Sequence, residues 1–231
     1  MVEILSTEYC IIDIQHIDNL NLIRNKFISK VYWLLTLQLL ITLSICILFM
    51  KVDSISVFVL YNINLLYYDL GLIVITMIVL FCYDKVYPIN LVLLHLFTLE
   101  ISYTIGTMCA SYKNDSDLVL MSFGSTTVSF IFLSCYAHYS KIDFSFISGF
   151  LFNCLISLIV WCIFTVIFGF ETSYLYCLFG IFIFSGYILL DTSIIIYKLS
   201  VDEYVIAVIM LYLDFINFFL KMLELLSKLK K

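Results

Sequence analysis

Four carboxylates stand inside long apolar stretches of this 231-residue chain: Asp69, Glu100, Asp191 and Asp214. A charged side chain at the centre of a hydrocarbon layer costs roughly 2.5–3.5 kcal/mol on insertion scales unless it is paired or hydrated. Acids in such places therefore carry more information than any other residues here. Asp69 sits near the start of its apolar run, where an interfacial position is the simpler reading; Glu100, Asp191 and Asp214 lie deeper. The first six runs contain no central Lys or Arg, and Lys221, two turns beyond Asp214, is the nearest cation. An excess of carboxylate in low dielectric holds either protons or a cation, and two carboxylates brought together can share one proton and titrate as a unit. The chemistry to which these residues point is acid-sensitive cation permeation. The competing reading is that each acid hydrogen-bonds to hydroxyls and simply locks a helical bundle.

The spacing of the polar residues favours helices that gather them on faces. At 100° per residue, Asp214, Asn217, Lys221, Glu224 and Lys228 fall within an arc of about 80°, and Ala207 and Met210 extend the same stripe towards the start of the segment. Glu100, Tyr103, Thr104, Thr107 and Ser111 share a face of the third run, and Ser122, Thr126 and Ser129 a face of the fourth. Such stripes cannot face lipid; they face the bundle interior, a water-filled cavity or the headgroups. Ser and Thr stripes alone are more often interhelical glue than a pore lining. Carboxylates within them shift the balance towards conduction or sensing.

The elements that must position these residues follow from composition. The chain is 64% hydrophobic and 13% charged, with a single Pro, whereas soluble domains run nearer half apolar and a quarter charged. Lipid is the solvent that accommodates the excess. Apolar runs fall near 31–50, 66–83, 89–111, 118–139, 144–168, 173–197 and 204–227, each close to the ~20 residues a helix needs to cross the hydrocarbon. The connections at 84–88, 112–117, 140–143, 169–172 and 200–203 are short, which forces antiparallel neighbours. Only 51–65 is long, and it reads either as an interfacial helix or as an early start to the second run. The expected fold is an all-α membrane protein, a bundle of six transmembrane helices plus a seventh segment that either spans or re-enters. Residues 1–30 form a cytosolic N-terminal segment too polar for a cleavable signal peptide, 31–227 the bundle and 228–231 a basic tail.

Lys and Arg counts set the orientation. Arg24, Lys26, Lys30, Lys85, Lys141 and Lys198 collect on one side and only Lys51 and Lys113 on the other, which predicts a cytosolic N-terminus. Seven full crossings then place the basic tail on the far side, against the rule, and re-entry would bring it back. The net charge of −5 is small and says little about partners, and no block of basic residues points to nucleic acid. Cys46, Cys82, Cys109, Cys135, Cys154, Cys162 and Cys177 lie in or at the ends of apolar runs without metal-ligand spacing, and they read as packing residues. No cofactor or metal site is expected.

Four stretches go beyond generic membrane composition. They are Arg24-x-x-Phe27-Ile28-x-Lys30-Val31-Tyr32-x-x-Leu35-x-x-Gln38-Leu39-Leu40-x-Thr42; Pro88-x-Asn90-Leu91 followed by Phe97-Thr98-x-Glu100-x-Ser102; Gly186-Tyr187-Ile188-Leu189-Leu190-Asp191-Thr192; and Asp202-Glu203-Tyr204-Val205 running into Leu211-Tyr212-Leu213-Asp214-Phe215-Ile216-Asn217-Phe218-Phe219-Leu220. Together they resemble the transmembrane Bax inhibitor motif, or lifeguard, family over most of the chain from Arg24 to Leu226. The short N-terminus is most similar to the Golgi anti-apoptotic protein branch, which includes copies carried by poxviruses. Scarce Ala and Pro beside abundant Ile, Tyr and Asn suit an AT-rich viral genome.

The resemblance implies a six- or seven-helix bundle of Golgi or endoplasmic reticulum membranes that suppresses apoptosis and leaks stored calcium to the cytosol. It places the family's proton-sensitive aspartate latch on Asp191 and Asp214, a conduction-linked acid on Glu203 and the third-segment acid on Glu100. Asn217, Lys221, Thr104 and Thr107 are the supporting polar stripe. Bacterial relatives set an Arg of the second segment against the aspartate pair; residues 66–83 contain none, so a salt-bridged latch is not implied. Expected partners are the bilayer, calcium ions as the permeant species, and resident calcium channels or apoptosis regulators, with self-association open. The alternative function is a non-conducting scaffold that inhibits apoptosis by binding such proteins. A seven-helix receptor fits poorly with loops this short. An intramembrane enzyme is not expected, because His16, His95 and His138 are scattered and no Ser/His pair shares a segment face.

Overall fold

In hydrocarbon every backbone N–H and C=O needs a partner from its own segment, so apolar runs free of internal Pro become helices. The computed structural model describes residues 2–169 and 173–230, with side chains from Asn19 onward. The side chains of Cys10 and His16, residues 170–172 of the expected 169–172 connection, and Lys231 of the basic tail lie outside the described residues.

The described residues form eight helices: α1 (Val2–Lys51), α2 (Asp53–Tyr61), α3 (Asn64–Cys82), α4 (Ile89–Ser111), α5 (Ser116–Ser140), α6 (Ser148–Phe168), α7 (Tyr174–Tyr197) and α8 (Tyr204–Lys230). All but α2 are long and apolar enough to cross a bilayer, and no strand occurs among the described residues. The chain is a multi-pass α-helical membrane protein. The stretch between the first two runs is neither a loop nor part of α3 but a separate nine-residue helix, α2, packed on α1 and α4. The helix α1 is continuous through Lys30, so the passage from polar segment to span is a change of side chains and not a break in the backbone.

The last helix organises the rest. α8 has 27 residues, about 40 Å at 1.5 Å per residue, and packs against α7, α5, α1 and α4. Its apolar stretch is 61% buried, against 11% in α3 and in α6, which lie at the periphery on α4 and α7 respectively. An aromatic seam joins α5 to α8, with Phe215 meeting Phe123 at 5.5 Å and Phe130 at 5.6 Å between ring centroids. The far end of α8 is held by an ion pair from Lys230 to Asp115 and by the Tyr174 hydroxyl, which donates to the Lys228 carbonyl at 2.9 Å. The seventh segment thus runs the length of the bundle and does not turn back.

Polar contacts close both the interior and the basic face. Between α1, α4 and α8, Gln38 Nε2 donates to Thr98 Oγ1 at 2.7 Å, and the Thr42 hydroxyl shares hydrogen bonds with Ser102 at 2.9 Å and Tyr212 at 2.8 Å. All five side chains are buried. At the end of α1 that carries the basic residues, Arg24 caps α7. Its Nε, Nη1 and Nη2 donate to the carbonyls of Ile196, Leu199 and Ile195 at 2.7, 2.5 and 2.6 Å. The Ile195 and Ile196 carbonyls are ones that the end of α7 leaves without helical donors, Leu199 follows in the connection to α8, and the positive charge suits the negative pole of the helix. On the same face Asp143 accepts from the Ser145 side chain and amide and pairs with Lys198 at 3.7 Å. Those contacts, with Ser145 first, hold the Asp143 carboxyl below its ordinary range.

Arg24→Gln should remove three charge-assisted bonds to the end of α7 and destabilise the protein by on the order of 2–4 kcal/mol. The exposed neighbour Lys26→Gln should change stability by less than about 0.5 kcal/mol. Thermal unfolding of both variants in detergent tests this, and equal behaviour of the two would overturn the assignment of the cap.

Candidate functional site

Asp191 lies six residues before the end of α7, and Asp214 ten residues into the antiparallel α8. Antiparallel packing brings them level. Both are buried, at 7% and 6% exposure, and their carboxyl groups interact with each other across the α7–α8 contact. Asp214 Oδ2 has no hydrogen-bond partner among the described residues. No Lys or Arg among them forms an ion pair with either aspartate. Tyr187, one turn before Asp191, lines the same cleft as Asp214.

A cleft of about 500 Å³ reaches this group from the side of α6. The polar stripe of α8 supplies one wall through Asp214, Asn217 and Lys221, α7 contributes Tyr176 and Tyr187, and α6 closes it with apolar side chains from Leu155 to Ile163. The cleft exists because α6 packs mainly on α7 and little on α8. Gly186 permits that contact: a Cβ there would come within 2.7 Å of Leu151 on α6. Two grooves of about 300 and 580 Å³ between α1 and α5 are lined mainly by apolar side chains, with Lys51 and Asp117 at the first and Ser134, His138 and Thr192 at the second, and neither is lined by Asp191 or Asp214.

The other residues singled out by sequence separate into two places. Glu203 is at the basic face, in the turn before α8. Its carboxylate accepts from the Ser200 amide at 3.0 Å, as half of a capping box, and pairs with Lys85 of the α3–α4 connection at 3.4 Å. Glu100 faces α3, where Thr76 Oγ1 donates to its Oε1 at 2.8 Å while its Oε2 is buried without a partner. Thr104 on the same face of α4 donates to Asp69 Oδ2 at 2.7 Å. Thr107 bonds back to the Tyr103 carbonyl at 2.8 Å and Asn217 to the Leu213 carbonyl at 2.8 Å, each within its own helix. Glu100 and Glu203 are thus apart from the Asp191–Asp214 group.

Asp69, read from the sequence as interfacial, is a half-buried partner of Thr104. Two residues were not singled out as site candidates by the sequence reading. Tyr187 was legible one turn from Asp191. Tyr212, which shares a hydrogen bond with Thr42, the centre of the hydroxyl network, could be found only from the facing i, i+4 pairs Gln38/Thr42 and Thr98/Ser102. Among the described residues, no three His, Cys, Asp or Glu side chains are grouped to hold a metal ion. What the arrangement can do is hold a proton or a cation between two carboxyl groups that have no basic partner, with access along a partly polar cleft.

The profile of the family described as Inhibitor of apoptosis-promoting Bax1 matches residues 24–231. Protein LIFEGUARD 2 of Arabidopsis thaliana is 35% identical over 214 residues, covering 88% of each chain. The Golgi anti-apoptotic protein of Vaccinia virus (strain Lister) is 37% identical over 210 residues, covering 89% of this chain and 86% of its own. Protein lifeguard 4 of Mus musculus is 36% identical over 214 residues, covering 90% and 87%.

Asp214→Asn removes a buried carboxyl without a basic partner and keeps a hydrogen-bonding group facing Asp191. We expect the variant to unfold within about 1 kcal/mol of wild type, or at higher temperature. A loss of about 3–5 kcal/mol, the signature of a broken buried ion pair, would reveal a cation bound to the aspartates.

Proposed function

The chain belongs to the Bax inhibitor (lifeguard) family, and from that premise we propose that it is an anti-apoptotic membrane protein that leaks calcium from intracellular stores. The observation that carries the reading is the Asp191–Asp214 group, buried between α7 and α8 without a basic partner and reached by the cleft along α8. A simple structural role calls for hydroxyl or basic partners, as Asp69 has in Thr104. Carboxyl groups left to each other favour a function in which protons and cations compete for the same oxygens. In this reading a proton on the pair keeps α7 and α8 together, and its loss, or its replacement by a cation, loosens them and opens the path.

Glu203 belongs to the same reading as an acid at the mouth. Its ties to Ser200 and Lys85 link the start of α8 to the α3–α4 connection, so movement of α8 would expose the carboxylate to passing ions. Glu100, on α3 and α4, is a second polar station away from the pair, with Thr104 and Thr107 along its face. The excess of Lys and Arg around Arg24, Lys85, Lys141 and Lys198 supports a cytosolic N-terminus, with 1–30 on the cytosolic side, 31–227 as the bundle and 228–231 at the opposite face. The printed name of the vaccinia relative supports a Golgi membrane, and the endoplasmic reticulum is the other store that suits a calcium leak. The reading assigns no catalysis and no bound cofactor.

Calcium flux through purified protein in liposomes between pH 5 and 8 tests this for wild type, Asp214→Asn and Glu203→Gln. The expected outcome is a pH-dependent flux that Asp214→Asn flattens and Glu203→Gln reduces. Flux unaltered by both substitutions would sink the residue assignment, and folded wild type no leakier than empty liposomes would replace the leak with a non-conducting scaffold that binds calcium channels or apoptosis regulators.

A further inference from the structure

A path for cations along α8 passes a resident cation. Lys221 lies seven residues beyond Asp214, roughly 10 Å along the helix and on nearly the same face, and both side chains line the cleft. The Lys221 side chain is only 17% exposed, and its Nζ pairs with Glu224 Oε2 at 3.0 Å. The same Nζ stands 4.3 Å from the centroid of the Tyr176 ring on α7, in position for a cation–π contact. Its methylene stem crosses Gly180, where a Cβ would approach Lys221 Cδ within 2.8 Å and Cγ within 2.9 Å. A glycine that clears the stem, an aromatic face and a carboxylate together fix this ammonium in one place. A lysine that merely reaches for the headgroups needs none of them.

Because α7 runs antiparallel to α8, Tyr176 and Gly180 lie towards the C-terminal end of α8. The ammonium therefore stands between Asp214 and the face opposite Arg24. α6 contributes no charged side chain to the cleft, so the field there comes from Asp214 and Asp191 inside, Lys221 and Glu224 in the middle and Lys228 nearer the face. We propose that Lys221 is the charge-selectivity element of the leak, a tethered ammonium that holds back divalent cations in the cleft leading to Asp214. This rests on the leak reading. A fixed positive charge repels a divalent ion twice as strongly as a monovalent one at the same distance, and the pair with Glu224 keeps the ammonium from swinging away. Removing the ammonium leaves the cleft one unit more negative.

The test is the calcium-to-potassium permeability ratio of liposome-reconstituted protein, read from reversal potentials under bi-ionic conditions. Lys221→Gln, and Lys221→Met, which keeps the bulk of the stem over Gly180, should each raise the ratio on the order of tenfold. Lys221→Arg should leave it near wild type, and Lys221→Gln with Glu224→Gln should return it towards wild type, since a packing defect would not be repaired by a second loss. Flux with an unaltered ratio in both single neutral variants overturns this assignment alone. Absence of flux from folded wild type overturns the leak reading and this assignment with it.

Discussion

The polar stripe of α8 is the constraint around which the bundle is arranged. Asp214, Asn217, Lys221 and Glu224 share one side of a helix whose other sides are apolar, and each charge turned to lipid would cost several kcal/mol. The helix therefore has to be enclosed, and α1, α4, α5 and α7 enclose it. The apolar sides of α8 pack into these neighbours through Phe215, Phe219, Leu211 and Val208, all nearly inaccessible. The stripe itself is left facing α7 and the cleft beside α6. A surface that cannot meet lipid and is not filled by packing becomes a cavity with carboxyl groups in it.

Packing is uneven in a way that suits movement on one side. On the α1–α4 side, hydroxyl and amide groups of Gln38, Thr98, Thr42, Ser102 and Tyr212 satisfy one another across three helices, and such interlocked bonds fix the relative height of the helices as well as their separation. At the basic face Arg24 ties α1 to the end of α7, Lys85 ties the α3–α4 connection to Glu203, and the Lys30 ammonium lies over the Tyr204 ring. Among the described residues the side of α6 shows no comparable polar lock on α8. α6 is held mainly through α7, so its displacement would break fewer contacts than a separation of α7 from α8, one of the most extensive helix contacts in the bundle.

The acids within the bundle do not form one chain of stations. Glu100 and Asp69 are separated from Asp191 and Asp214 by the bodies of α4 and α8, and each takes a hydrogen bond from a threonine on the facing helix. For these two, hydroxyl pairing accounts for much of the cost of burial. Asp214, whose Oδ2 has no hydrogen-bond partner among the described residues, has no such threonine.

Much of this was legible in the sequence. The apolar runs become seven long helices because run length and the absence of Pro decide helicity in lipid without reference to neighbours, and the α8 stripe follows from 100° per residue alone. Spacing within one helix is local information. Contacts between helices are not: nothing in residues 64–82 or 89–111 taken separately reveals that Asp69 meets Thr104. Charge counting left the seventh segment open between crossing and re-entry; in the structure it is one continuous helix, long and apolar enough to cross, whose end pairs with Asp115. The sequence by itself determined which residues cannot face lipid, because that depends on composition and helical period; only the tertiary structure decided which of them face each other, because that depends on how high and at what rotation each helix packs against the next.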